Sequence, residues 1–239
     1  ASDVYKRQEL KDKLLSSFLA FEENVNMNSD IHEIRSRAIK DFETSGFPTR
    51  KQEAWKYTSL NKVLKHDYTV FPKKEDTIEY RDVEKYFIDD IDTYKIVFID
   101  GIYSSHLSST THEKIDACLM SSAMNSSKYK PVIDNYFNKV APQESLTSLN
   151  TAFSHEGAYI NIPKNTMADK PIQIINFSTG NESALMVQPR NLVVVGENSH
   201  VQIIERHQSL TDHHVLTNSV TEIFADKRAI VDYYLSLIH

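Results

Sequence analysis

The chain has 239 residues, of which 40% are hydrophobic and 25% charged, with a formal net charge of -6. That length can bury a real core in one large or two small domains. The acidic balance argues against a nucleic-acid binder, which carries a basic stripe, and no apolar run approaches the roughly 20 residues that cross a bilayer.

The five glycines stand far apart. Phosphate-cradling loops need clustered glycines, so nucleotide binding is not expected. Cys118 is the single cysteine, which excludes an internal disulfide and fits a reducing cytoplasm. The two ends read as foreign. DVYKRQ (Asp3 to Gln8) and LSLIH (Leu235 to His239) are similar to translations of a sequencing-library adaptor. Residues 1–8 and 235–239 are therefore expected to be artefact and are set aside from fold reasoning. The reading is of an N-terminal fragment, with natural sequence from 9 to 234.

Between Glu9 and Asn24, Leu10, Leu14, Leu15, Phe18, Leu19 and Phe21 recur at helical spacing. A polar break follows, where Ser29 or Asp30 can cap a second helix carrying Ile31, Ile34, Ala38, Ile39 and Phe42. Gly46 and Pro48 end it. Residues 51–64 have loop and short-helix character, and 67–80 are polar and irregular. Ile96 to Ile99 reads as a buried strand, turning at Asp100-Gly101 into a second strand from Ile102 to Leu107. Two short helices are predicted from Pro131 to Val140 and from Glu144 to Ser154.

From Gly157 the period changes. Six short strands are predicted: 158–162, 172–177, 191–195, 200–205, 219–224 and 229–233. Turn residues lie between them, among them Pro163-Lys164-Asn165 and Gly196-Glu197-Asn198. Close spacing without helices means a sandwich, a barrel or a β-solenoid. No strict repeat appears, and that pattern alone favours a sandwich.

Three segments carry a resemblance. Gly46 to Thr58 contains Glu53-Ala54-Trp55-Lys56-Tyr57-Thr58, similar to a G-P-x-x-R/K-x-E-x-W-R/K-Y-T signature. Asn150-Thr151-Ala152-Phe153, then Gly157 to Pro163, resembles N-x-A-F followed by G-x-x-I/V-x-I/V-P. Arg190 to Ser199, with Gly196 inside it, resembles R-x-x-I/V-x-I/V-G-x-x-A/S. Together they resemble the SufB/SufD family of iron–sulfur cluster assembly scaffolds, on its SufD-type side.

The resemblance implies an α+β chain: a mostly helical N-terminal region, 9–155, then the start of a right-handed parallel β-helix, 156–234. It implies a non-catalytic, cytoplasmic scaffold subunit that binds a SufB-like paralogue and a SufC-like ATPase. It also implies an iron–sulfur cluster in the assembled complex, with no cofactor held by this segment, no nucleic acid and no membrane. Contacts to the ATPase and the cluster-related positions are expected outside it. The signature residues Glu53, Trp55, Lys56, Tyr57, Thr58, Asn150, Phe153, Gly157, Pro163, Arg190 and Gly196 are expected to be structural or interfacial, with Trp55 and Tyr57 anchoring their segment to the body. On a β-helix, Leu192, Val194, Val201 and Ile203 would share the inward face.

Alternatives remain at the level of residues. His200, His207, His213 and His214, with Glu205, Asp212 and Glu222, invite a metal reading, but no compact ligand spacing is present and a polar loop is the blander account. Cys118 sits among apolar residues and reads as a buried, inert thiol. Asp89, Asp90 and Asp92 read as a solvated acidic face. A carbohydrate-active β-helix would need clustered carboxylates, for which only Glu205 and Glu222 stand near strands. An adaptor domain unconnected with clusters is the third reading.

Overall fold

A computed structural model describes residues 2–25, 29–71, 78–88, 90–109, 114–141, 144–180 and 184–238. Helix α1 (Ser2–Val25) buries Leu10, Leu14, Phe18 and Phe21, one stripe of its surface. Helix α2 (Ser29–Ser45) buries Ile31, Arg35, Ala38, Ile39 and Phe42. It ends where Gly46, at φ +60, donates its N–H to the Phe42 carbonyl at 2.7 Å. Both were legible from the apolar spacing. Whether Ser29 or Asp30 caps α2 lies outside the described side chains.

Short helical turns follow at Glu53–Trp55 and at α3 (Tyr80–Val83). Strand β1 (Tyr94–Ile99) turns at Asp100 and Gly101 into β2 (Ile102–Tyr103). Both turn residues have positive φ, 51° and 80°, as a tight two-residue hairpin requires. Strand β2 is shorter than the expected 102–107: it ends at Tyr103, and the Ser104 N–H makes one further bond to β1, at the Val97 carbonyl (2.8 Å). Strand β3 (Asp116–Leu119) and α4 (Met120–Met124) were not anticipated. Helices α5 (Lys130–Tyr136) and α6 (Ser145–Ala152) stand where two short helices were expected.

The remaining elements are strands: β4 (Ala158–Ile162), β5 (Ile172–Ser178), β6 (Ala184–Val187), β7 (Arg190–Val195), β8 (His200–Ser209), β9 (His214–Thr217), β10 (Val220–Ala225) and β11 (Ile230–Ile238). Six match the predicted set, and β6 and β9 are additional. Residues 2–8 continue α1, and 235–238 continue β11 alongside β8.

The strands form three sheets, in the orders β11-β8-β5-β1-β2, β10-β7-β4-β3 and β6-β9. Pairing is mixed. Strands β4, β7 and β10 run parallel, as do β1, β5, β8 and β11 and the pair β6-β9, while β2 and β3 are antiparallel additions. The class is α+β, but the expected right-handed parallel β-helix is not what these sheets form. Two of them mix parallel and antiparallel pairs, the third is the parallel pair β6-β9, and none closes or winds into a solenoid. Period-two alternation specifies which face of a strand is apolar; it does not specify how separate sheets connect.

Register decides the core. Val193 lies between Ile160 and Ile223, and Ile203 is flanked by Ile172 and Tyr233. Ile160, Val193, Val195, Val201 and Ile203 pack in one cluster, whereas Leu192 and Val194 pack with Tyr159 against α4 and α5. The expected grouping of Leu192 and Val194 with Val201 and Ile203 is therefore corrected. Strand β7 is buried on both faces, so alternation could not tell the two apart. Each such fully buried Leu, Ile or Val contributes about 1.5–3 kcal/mol.

Chain reversals stack as the strands do. Asn165, Asn198 and Arg228 all have positive φ, 58°, 56° and 57°. Asn165 N–H donates to the Glu197 carbonyl and Asn198 N–H to the Lys227 carbonyl. Asparagine tolerates that backbone region better than most side chains.

Gly157 is the tightest point. Its φ is +148, and a Cβ there would lie 2.0 Å from the Arg190 carbonyl oxygen. Gly157→Ala is expected to cost several kcal/mol, since only movement of β7 relieves the overlap. Gly46→Ala, whose Cβ would meet only the Lys11 side chain at 3.8 Å, is expected to cost about 1 kcal/mol. Urea unfolding midpoints of the two variants test this ranking.

Candidate functional site

Three of the signature positions converge. Gly157 passes against the Arg190 backbone, and Arg190 N–H donates to the Glu156 carbonyl at 3.0 Å. The Arg190 side chain then reaches across β7 into α6. Nη1 donates to Asn150 Oδ1 at 3.2 Å and to Thr151 Oγ1 at 2.9 Å. Nη2 donates to Asn138 Oδ1 at 3.2 Å and to Glu222 Oε2 at 2.6 Å. The guanidinium lies 4.9 Å from the Phe137 ring centroid.

Glu222 comes from β10, the parallel neighbour of β7. Besides Arg190, it accepts the backbone N–H groups of Asn138, Lys139, Val140 and Ala141, at 2.8 to 3.2 Å. Both side chains are essentially inaccessible, at 0% and 1%. Burial pushes the Glu222 carboxyl up, but the Arg190 charge and the N–H donors outweigh it, and the group sits below the usual carboxylate range. Burial alone lowers Arg190, and Glu222 partly offsets that. Asn150 completes the junction by donating to the Pro189 carbonyl at 2.9 Å and the Asn218 carbonyl at 2.8 Å.

A second buried carboxylate stands nearby in sequence register. Glu205 of β8 accepts from Asn191 Nδ2 (3.1 Å), Thr221 Oγ1 (3.2 Å) and Tyr233 OH (2.5 Å), and pairs with His207 Nε2 at 2.8 Å. Burial raises this carboxyl, and the His207 and Tyr233 hydrogen bonds more than reverse it. Each of the two glutamates is thus committed to fixed protein partners. Neither is presented as an open acid or base to a substrate.

The other signature residues lie elsewhere. Phe153 joins an aromatic cluster with Phe18, Phe21 and Phe71, at centroid distances of 6.0, 5.2 and 5.5 Å. Pro163 and Gly196 meet at a chain reversal. Gly196 N–H donates to Ile162, and a Cβ on Gly196 would approach the Lys164 nitrogen to 2.7 Å. Ser199 Oγ donates to the Pro163 carbonyl at 2.7 Å.

The segment 53–58 runs over the surface. Trp55 is half-buried, Glu53, Lys56 and Thr58 are exposed, and Tyr57 is 86% exposed with Lys56 Nζ 5.5 Å from its ring centroid. Tyr57 therefore does not anchor the segment to the body, contrary to expectation. Sequence could flag the aromatic residues but not the side of the chain they face.

The histidines do not gather. His200 pairs with Asp232 at 2.9 Å, His207 with Glu205, and His214 stacks on His66 at 3.7 Å. Among the described residues, no group of three or more His, Cys, Asp or Glu side chains is placed to hold a metal ion. Cys118 is half-buried in β3, opposite Tyr159. Burial, with Asp116 adding to it, pushes its thiol up to about 11, so little thiolate exists at neutral pH. Asp92 pairs with Lys170 at 2.5 Å; Asp89 lies outside the described residues. Among the described residues, no helix is long and apolar enough to cross a membrane.

With that geometry in view, comparison with known proteins decides the family. The description "SufBD protein N-terminal region" matches residues 9–174, and "SUF system FeS cluster assembly, SufBD core domain" matches 177–236. The chain belongs to the SufBD family. It is 26% identical over 195 residues to an iron–sulfur cluster assembly SufBD family protein of Synechocystis, covering 78% of this chain and 43% of that one. It is 23% identical over 207 residues to the iron–sulfur cluster assembly protein SufD of Bacillus subtilis, covering 84% and 46%. A chloroplastic SufBD family protein of Arabidopsis thaliana is 28% identical over 146 residues, 57% and 26% of the two chains. The chain thus spans less than half the length of the curated relatives it matches. In this SufBD chain the N-terminal match carries Asn150 and Gly157 and the core match carries Arg190 and Glu222, so the buried junction ties the two regions together.

Glu222→Gln is expected to lower stability by roughly 3–5 kcal/mol in urea unfolding, because Arg190 is left buried without a counter-charge. The carboxyls of Glu222 and Glu205 lie below their unfolded value of about 4.3, so the stability they bring is complete above that pH and is lost as pH falls through their folded values. Glu156 has the opposite sign. Burial raises it to about 7, so its contribution is complete below about pH 4.3 and is lost as pH rises toward 7. Glu156→Gln is expected to flatten the decline in stability between pH 5 and about 7.5, read from melting temperatures across that range.

Proposed function

We propose that this chain is part of a non-catalytic scaffold subunit of iron–sulfur cluster assembly, which works by holding protein partners. The observation that carries the reading is the match of both its regions to the SufBD family, whose core is described as a SUF-system cluster-assembly domain. The relatives named above are cluster-assembly proteins by name. The partners proposed are a SufB-like paralogue and a SufC-like ATPase, with ATP hydrolysis on the latter. The iron–sulfur cluster is cargo of the assembled complex, and no cofactor is assigned to this chain. The compartment proposed is the cytoplasm, on the strength of a single, unpaired cysteine.

The geometry is compatible with a holding role. The buried carboxylates are consumed by internal partners, which makes a stiff body. The segment 53–58 presents a large aromatic residue outward, and exposed Tyr and Trp are the residue types that most often anchor protein interfaces. We read that segment as one contact surface. The division into a helical region, 9–155, and a sheet region, 156–234, follows the same reading, with the Arg190 junction between them.

Co-expression of the full-length gene product with the SufB-like and SufC-like proteins of the same genome is the direct test. A complex that co-purifies stoichiometrically and hydrolyses ATP only when the SufC-like subunit is present supports the proposal. Tyr57→Ala is expected to weaken capture of a partner by roughly tenfold while leaving the melting temperature unchanged, since an exposed side chain contributes little to folding. Full-length protein that captures neither partner sinks the reading.

A further inference from the structure

On β5 the side chains of Ile172, Ile174 and Asn176 occupy alternate positions, on one face of the strand. Ile172 and Ile174 belong to the apolar core with Ile96 and Phe98 of β1. The next position on that face continues the row with an amide. Asn176 sits beside Phe98 in register, is 6% exposed, and neither its Oδ1 nor its Nδ2 has a hydrogen-bond partner. A buried amide in that condition is costly, and a native fold retains one where something else satisfies it.

Asn176 lines a cavity of about 670 Å³, inside the range of about 300–1,000 Å³ that small-molecule sites occupy. The walls are mainly aromatic and aliphatic: Phe21, Phe71, Phe98, Phe153 and Met186. Most of the polar groups that also reach it are already engaged. Asp100 accepts from the Thr179 N–H and hydroxyl at 2.8 and 2.6 Å, and the Gln188 oxygen accepts from Asn218 at 3.0 Å. What remains is the Asn176 amide, with the neighbouring His155 and Glu156: His155 Nδ1 lies 3.4 Å from Glu156 Oε1, and Glu156 Oε2 has no hydrogen-bond partner. Burial holds Glu156 up, to about 7, and His155 down, to about 4, so both are uncharged over most of that interval. The cavity therefore offers an apolar aromatic body and, at Asn176, an unpaired neutral donor and acceptor.

We propose that this cavity is a binding site for a small uncharged aromatic molecule carrying an amide-type edge, which Asn176 recognises with its own donor and acceptor. The site does not include the partner surface at residues 53–58, and it borders the Arg190 junction at Gly157 and Pro189. An amide edge satisfies both Asn176 atoms at once, which a hydrocarbon does not. A carboxylate gives up the donor and brings a charge into an apolar wall.

Benzamide, toluene and benzoate are the probes, titrated separately into the purified chain and followed by ligand-observed NMR and calorimetry. Benzamide is expected to bind at least tenfold more tightly than either of the others. Asn176→Leu, which extends the apolar row, is expected to raise the melting temperature by several degrees and to weaken benzamide about tenfold while leaving toluene unaffected. That combination, a more stable protein with a poorer site, is not expected of a residue kept for packing. Asn176→Ser is the second variant should the leucine misfold; it should weaken benzamide without loss of fold. The proposal is overturned if benzamide does not bind, if the three probes bind alike, or if neither substitution alters benzamide affinity.

Discussion

The buried pair of Arg190 and Glu222 is the interaction on which the rest of the structure leans. Neither charge can stay in an apolar interior alone, and each is surrounded by partners from a different part of the chain. Arg190 gathers α6 through Asn150 and Thr151, and Glu222 gathers the four successive N–H groups of 138–141. A single ionic contact between neighbouring strands thereby fixes where the helical region sits on the sheets. Apolar burial supplies most of the folding free energy, but it is not directional. The charged junction supplies the direction.

The same junction accounts for Gly157. The chain leaves α6, turns at Phe153 and Ser154, and must pass under the Arg190 carbonyl to start β4. Any side chain there would push β7 away and with it the guanidinium. Asn150, Gly157 and Arg190 are therefore one device, spread over forty positions of sequence and assembled by the parallel pairing of β4 with β7. Glu205, with Asn191, Thr221 and Tyr233, repeats the arrangement one sheet over. Two extensive polar networks inside an apolar body favour rigidity, and rigidity suits a protein that positions others.

Where polar groups are left unpaired, the pattern is different. Arg35 is wholly buried against Phe21, without a hydrogen-bond acceptor for its three nitrogens, and Glu22 is its opposing charge. Burial lowers its guanidinium to about 10. His155, Glu156 and Asn176 line the cavity between α1 and the strands. Among the described residues, only the guanidinium Nε lacks a hydrogen-bond partner at the Arg190 junction, whereas at the aromatic cavity both polar atoms of Asn176 lack one. Groups held unsatisfied at such cost are found where function draws on them.

Much of this was legible beforehand. Apolar spacing located α1 and α2, the Asp100-Gly101 pair located the first hairpin, and alternation located β4, β5, β7, β8, β10 and β11, because each of those signals is local. Motif resemblance singled out Asn150, Gly157 and Arg190 without saying that they touch. Strands β3, β6 and β9 escaped, being only four residues each and owing their existence to neighbours that pair with them. Glu222 looked like one of several acidic residues near histidines, and only the β7–β10 register made it the counter-charge of Arg190. The resemblance implied one continuous solenoid, whereas tertiary pairing produced three sheets, two of them mixed and one parallel. Sequence by itself determined which residues are apolar, where the backbone can turn and which family the motifs resemble. Tertiary structure alone decided which buried charges meet, which amide goes unpaired and which aromatic side chain faces water, since those depend on contacts between residues far apart in the chain.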